Sequence, residues 1–169
     1  MEIEKALIEY TACFTGHRVI RNADRPMMVR WLYRAIDRCI DNGICWFMCG
    51  GALGFDTLAA QTVLELRDSK YPYIRLGLAL PCYDQTAHWP MVDIETYESI
   101  KTRADKVVYT SESRYFDGCM ALRNRFMVDA SCIVVYYQYK AWGGAAQTVN
   151  YAREQKKRLM DVMSGKFDR

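Results

Sequence analysis

Four short stretches of the 169-residue chain gather the groups from which anion recognition is built. Residues 48–62 read MCGGALGFDTLAAQT. Gly50, Gly51 and Gly54 let the backbone take positive φ and come close to a ligand, and the helical pattern that follows offers unpaired N–H groups at a positive dipole end. That combination suits a phosphate. Its order, G-G-x-x-G-x-D, is neither the dinucleotide fingerprint nor a P-loop, since no Lys-Ser/Thr follows. Two readings stand: an anion-binding turn, or a tight strand-to-helix turn in which Asp56 caps the helix. Asp56 has a further reading as the partner of a ribose hydroxyl, in which case it must point away from any phosphate.

The stretch Thr15-Gly16-His17-Arg18 collects a hydroxyl, a glycine, an imidazole and a guanidinium. Arg18 can clamp a phosphate with its fork of donors, and His17 can donate to one or stack on a base. Further on, Arg123 falls on the helix side that carries Cys119, Phe126, Met127 and Ala130. A charge on so apolar a face needs a partner, either a ligand anion or a group bridging two helices. Asn124 is a hydrogen-bonding candidate beside it, whereas Arg125 and Asp129 have the i,i+4 spacing of a surface ion pair. The fourth stretch, 142–148, is WGGAAQT, a second glycine turn at a helix start, adding Gly143, Gly144 and Thr148. Two such turns on one sheet edge can hold two parts of one nucleotide. Tyr83, His88 and Trp89 offer flat surfaces for a base.

The elements that position these groups follow from the apolar patterning. Short β-rich runs at 8–14, 44–48, 73–80, 106–109 and 132–137, with a short last one at 159–163, alternate with helical patterns. The helices begin near Asp24, after the first glycine turn, and at about residues 92, 117 and 145. Strands separated by helical crossovers pair in parallel. The expected fold is therefore α/β: a Rossmann-like, doubly wound, mainly parallel sheet of five to six strands with helices on both faces, forming one domain over residues 1–169. In such sheets ligands gather beyond the carboxyl ends of the strands where the strand order reverses, and the loops at Thr15, Gly50, Pro81, Thr110 and Gln138 all open on that edge.

Composition narrows the function classes. The 23 basic and 20 acidic residues give +3 without basic blocks, which disfavours nucleic acid and anionic membrane as partners. The start, MEIEKALIEY, lacks a signal-peptide pattern and no run approaches the ~20 apolar residues of a membrane span, so a cytoplasmic protein is expected. Seven cysteines include no CxxC pair and no zinc spacing with His17 or His88. They are expected to be reduced core thiols, with no metal site.

Taken in order, TGHR at 15–18, GGALGFDTLAA at 50–60, ALPC at 79–82, the neighbourhood of Trp89, GCMALRNRFMVD at 118–129 and WGGAAQTVNYA at 142–152 resemble the YpsA-like branch of the SLOG superfamily. This Rossmann-like group also holds the lonely-guy phosphoribohydrolases and DNA-processing protein A. The resemblance implies binding or sensing of a nucleotide or nucleotide-derived ligand such as ADP-ribose, with both glycine turns facing it and no other cofactor required. The enzyme relatives carry P-G-G-x-G-T-x-x-E, whose glutamate serves N-glycosidic cleavage. Here that position is Asn150, and an amide cannot act as the acid, base or oxocarbenium partner that a carboxylate provides. The alternative of a nucleotide N-glycosidic hydrolase would thus rest on Asp56 as catalytic residue. A third alternative is a single-stranded DNA-associated or protein-interaction domain, because the turn at 50–60 also resembles that of the DNA-processing protein. The expected partner is a nucleotide-like small molecule. Related Rossmann-like enzymes often dimerise, and Tyr136-Tyr137-Gln138-Tyr139 offers a contact for a homodimer.

Overall fold

A computed structural model describes residues 5–169. Its elements in chain order are α1 (Lys5–Ile8), β1 (Thr11–Gly16), α2 (Arg25–Asp41), β2 (Trp46–Cys49), α3 (Phe55–Ser69), β3 (Arg75–Leu80), α4 (Met91–Arg103), β4 (Lys106–Tyr109), α5 (Cys119–Asp129), β5 (Ile133–Tyr137), α6 (Gly144–Glu154), β6 (Arg158–Asp161) and β7 (Lys166–Phe167). One seven-stranded sheet runs β4-β3-β2-β1-β5-β6-β7, parallel throughout except for the β6–β7 pair. The chain therefore winds outward from β1 to β4, then returns to the other side of β1. The order reverses between β1 and β5, which places the crevice of a doubly wound fold there.

The central strand shows why both faces must be covered. Along β1, Ala12 and Phe14 enter a core shared with α2 and α3, while Cys13 enters a second core with Met127 and Val128 of α5 and Val149 and Ala152 of α6. The same alternation runs along β5, where Ile133, Val135 and Tyr137 face the first core and Val134 the second. A strand buried on both faces reads as a continuous apolar run. On α2, Met28, Leu32, Ala35, Ile36 and Cys39 form the buried stripe, and the helix stops at Asn42 before Gly43, whose φ of 88° suits glycine.

Three local details differ from the sequence reading. Ile8 belongs to α1, and β1 starts only at Thr11, whose hydroxyl donates to the Leu7 carbonyl at 2.6 Å. Thr15 and Gly16 are still strand, paired in register with Tyr136 and Tyr137. The seventh strand, β7, has only two residues and carries no periodic signal. Arginines of α2 hold the turn before it: Arg34 donates to the carbonyls of Val162 and Met163 at 2.9 and 2.7 Å, and Arg38 to that of Gly165 at 2.7 Å. Among the described residues no helix is long and apolar enough to cross a membrane.

At the carboxyl edge the loops after β1 and β2 touch backbone to backbone. The Phe55 N–H donates to the His17 carbonyl at 3.2 Å, and Gly54, at φ 78°, has no room for a side chain because its Cβ would run into the Arg18 carbonyl. Gly43 has positive φ but open space around it. Gly54→Ala is therefore expected to cost about 3 kcal/mol or more, strain plus a clash with rigid backbone, and Gly43→Ala only about 1 kcal/mol. Urea unfolding of the two variants measures the difference.

Candidate functional site

Where β1 and β5 part, four chain segments enclose a cleft of about 260 Å³. Thr15, Gly16, His17 and Arg18 come from the end of β1 and its loop, Ala52 and Asp56 from the first glycine turn, Met120, Arg123 and Asn124 from α5, and Gly144 and Ala145 from the start of α6. Thr15, Gly16, His17, Arg18, Asp56, Arg123, Asn124 and Gly144 are thus brought together, whereas Gly50, Gly51, Gly54, Gly143 and Thr148 do not line the cleft. Sequence reasoning does not point to Phe14, Ala52, Met120 or Ala145. Met120 lies three residues before Arg123 on the same helix face, the signal that would have found it.

The first glycine turn is filled from within. The Asp56 Oδ2 accepts the N–H groups of Gly50 at 3.2 Å and Ala52 at 3.4 Å, so this carboxylate takes the place that a phosphate would have on those amides. It caps the turn rather than leaving it bare. The Gly50 carbonyl in turn accepts from the Arg123 guanidinium through Nη1, and from Gln85 Nε2 at 3.4 Å. Gly50 must be glycine because a Cβ there would strike the Arg123 side chain. Arg123 and Asp56 are both buried, 4% and 6% exposed, so neither is a group that swings freely onto a ligand. Burial raises the Asp56 carboxyl above its ordinary value, opposed by Arg123, the two amides and Arg18. Burial also lowers the Arg123 guanidinium, opposed chiefly by Asp56. The guanidinium Nε donates to Asn124 Oδ1 at 2.8 Å, which fixes the orientation of that amide, since an arginine can only donate.

His17 ties the two halves of the sheet edge. Its Nε2 accepts the Tyr139 N–H at 3.1 Å, so the neutral ring carries its proton on Nδ1. The ring sits 4.2 Å from that of Tyr139, whose hydroxyl donates to the Val19 carbonyl at 2.7 Å. Burial lowers the imidazole below its ordinary value, helped by Lys140 and Arg21. Arg18, by contrast, is exposed and makes no hydrogen bond or ion pair from its side chain among the described residues.

The second glycine turn is unlike the first. Gly143, at φ 94°, caps α6, and Gly144 opens the helix with nothing within 4 Å of the position a Cβ would take. Among the described residues no side chain accepts from the N–H groups of this turn as Asp56 does in the first. The Thr148 hydroxyl turns back onto the Gly144 carbonyl at 2.7 Å and is thereby occupied. Asn150 is exposed and lines a neighbouring groove between α5 and α6 instead of the cleft. The flat residues of the β3 loop are elsewhere too: Trp89 packs edge-on against Tyr97, Tyr83 leans on Tyr109, and neither they nor His88 line the cleft. Arg125 and Asp129 do not pair as their spacing suggests, because both turn to Tyr151, the guanidinium over its ring and the carboxylate on its hydroxyl. Among the described residues no group of three or more His, Cys, Asp or Glu side chains is placed to hold a metal.

A doubly wound sheet with its cleft at the reversal of strand order defines a Rossmann-like domain. The sequence model YpsA, described as the YspA SLOG family, matches residues 15–164, and the chain belongs to that family. A UPF0398 protein of Bacillus pumilus is 30% identical over 99 residues, covering 58% of this chain and 53% of that one. Another, of Bacillus cereus strain G9842, is 26% identical over 126 residues, covering 73% and 68%. The chain thus spans about half the length of the first of these relatives. Among solved structures, DNA processing protein A of Helicobacter pylori shares the fold with a TM-score of 0.65 at 20% identity, over 93% of this chain and 67% of that one. The protein of the same name from Streptococcus pneumoniae gives 0.68 at 15%, over 94% and 54%. The Helicobacter pylori structure concerns a single-stranded DNA binding mode, and this overturns the expectation, drawn from charge, that nucleic acid is an unlikely partner. A whole-chain sum of +3 does not reveal where cations gather: Arg153, Lys157, Arg158 and Arg169 share one groove.

Two outcomes follow from this geometry. Asp56→Ala leaves two amides of the turn unpaired and is expected to cost about 2 kcal/mol or more, whereas Asp56→Asn keeps an acceptor and costs less, read by denaturant unfolding. His17 loses its acceptor when protonated and its folded-state value is depressed, so the stability it contributes is present above about pH 6.5 and is lost as pH falls below that. Between pH 7 and 5, wild type should lose more stability than His17→Gln, which can accept the Tyr139 N–H without titrating.

Proposed function

We propose that the cleft binds a nucleotide or nucleotide-derived ligand, with its phosphate at the N-terminus of α6 and beside Arg18, and that the domain acts by binding or sensing it. The observation that carries this reading is the contrast between the two glycine turns. Gly16, Gly50 and Gly54 are small because Phe55, Arg123 and the Arg18 carbonyl stand where their side chains would go. Gly144 has no such internal reason, and its open side lines the cleft. Room at a helix N-terminus, next to an unpaired guanidinium, is what an anion of phosphate size requires. Membership of the SLOG family and the fold shared with DNA processing protein A support association with nucleotides or DNA. ADP-ribose, NAD and mononucleotides are the ligands to test, and a single-stranded oligonucleotide is the competing one.

Hydrolysis of an N-glycosidic bond is the second reading, favoured by one feature: Asp56 is a desolvated carboxyl with a raised value that lines the cleft. Its Oδ2 is committed to the turn, leaving only Oδ1 for chemistry. Release of free base from AMP or NAD, abolished in Asp56→Asn, would establish that reading.

Calorimetric titration with AMP, ADP-ribose, NAD and a short oligonucleotide tests the first. Arg18→Ala should weaken the bound ligand about 10-fold or more without changing the melting temperature of the free protein, since the side chain is exposed. Gly144→Asp should act in opposite directions. Its charge favours the α6 N-terminus of the free protein and repels a phosphate placed there. Undiminished binding by Gly144→Asp would rule out this site.

A further inference from the structure

A second hollow of about 270 Å³ lies between α5 and α6, and Asn124 lines both it and the cleft. Three carboxamides meet there, those of Asn124 on α5 and of Gln147 and Asn150 on α6. The Asn124 oxygen is taken by the Arg123 Nε, so its free edge is the amide N–H pair. Gln147 and Asn150 are exposed and their side chains make no hydrogen bond among the described residues, leaving donors and acceptors on both. They lie three residues apart on α6, hence on one face. Behind them Tyr151 is held by its hydroxyl bond to Asp129 at 2.9 Å, with the Arg125 guanidinium 5.4 Å over its ring. One cation and one carboxylate, Arg125 and Glu154, leave the hollow without a dominant charge.

These groups do not suit an anion or an apolar side chain. They suit a neutral planar molecule that presents donor and acceptor atoms along one edge, because a carboxamide can bond both at once. The distances also match. Gln147 and Asn150 stand about 4.5 and 9 Å along the axis from Gly144, a range that a ribose and the far edge of its base together reach from a phosphate. We propose that this groove receives the base of the ligand whose phosphate lies at the α6 N-terminus, and that it selects adenine through the carboxamides of Gln147 and Asn150. The inference rests on the preceding reading of the cleft and adds to it the class of ligand: an adenine nucleotide, lying along α6, with its base outside the cleft proper.

Titration with AMP and with ribose 5-phosphate, which lacks the base, tests it on wild type, on the double variant Gln147→Ala/Asn150→Ala and on Trp142→Ala. Wild type should bind AMP about 10-fold or more tightly than ribose 5-phosphate. The double variant should lose most of that advantage, keep its affinity for ribose 5-phosphate, and melt at the wild-type temperature. Equal loss for both ligands, or an advantage untouched by the double variant, overturns the groove. So does an advantage lost only in Trp142→Ala, whose indole is 70% exposed two residues before Gly144 and would then be the base platform. If wild type binds neither compound the groove proposal fails, and the cleft reading fails with it when ADP-ribose and NAD do not bind either.

Discussion

One residue, Gly50, is held from its two sides by opposite charges, and the shape of the sheet edge depends on it. Its N–H is bonded by Asp56 and its carbonyl by Arg123, so a carboxylate from α3 and a guanidinium from α5 meet across a single residue of the β2 loop. Both ions are buried, which is costly unless each finds fixed partners. Here each does: Asp56 has the Gly50 and Ala52 amides, and Arg123 has the Gly50 carbonyl and Asn124. The two helices pack on opposite faces of the sheet, and the turn between them is held from both sides. The loop after β1 then packs on this turn through the Phe55 and His17 backbone contact, and the orientation of Arg18 follows.

The fold was legible because its strands are short, apolar and regularly spaced. β4 appeared in the sequence with its observed limits, since Lys106 and Tyr109 bracket two valines between helix-forming runs. What escaped was structure without periodicity. α1 is a four-residue turn that took Ile8 out of the first strand, and β7 is two residues held by arginines from α2, more than a hundred residues earlier. Local pattern contains no trace of such distant bonds.

The segments that form the cleft could be read from the sequence, but which of their residues line it and what each does could not. Glycine spacing predicts a bend, yet only the folded chain tells a bend emptied for a ligand from one emptied for a neighbour. Gly50, Gly54 and Gly144 look alike as letters, and differ in whether Arg123, the Arg18 carbonyl or open space faces them. Helical spacing marks Arg123 as a charge in need of a partner. Its partner is a peptide carbonyl 73 residues away, a choice that helical spacing does not encode. Charge counting failed for a related reason, since a sum over the chain averages away the local grouping of cations.

The cleft has no wall built by a single contiguous segment. Its sides come from residues 15–18, 52–56, 120–124 and 144–145, and the bond from Tyr139 to His17 closes a loop of more than a hundred residues. Contacts of such separation form late, because chain entropy must be surrendered before they repay it. A partly folded or nicked chain can keep most of its helices and still have no recess at all. Occupancy of this recess would consequently count only complete molecules, and whatever settles there would stabilise the whole sheet against unfolding instead of one loop.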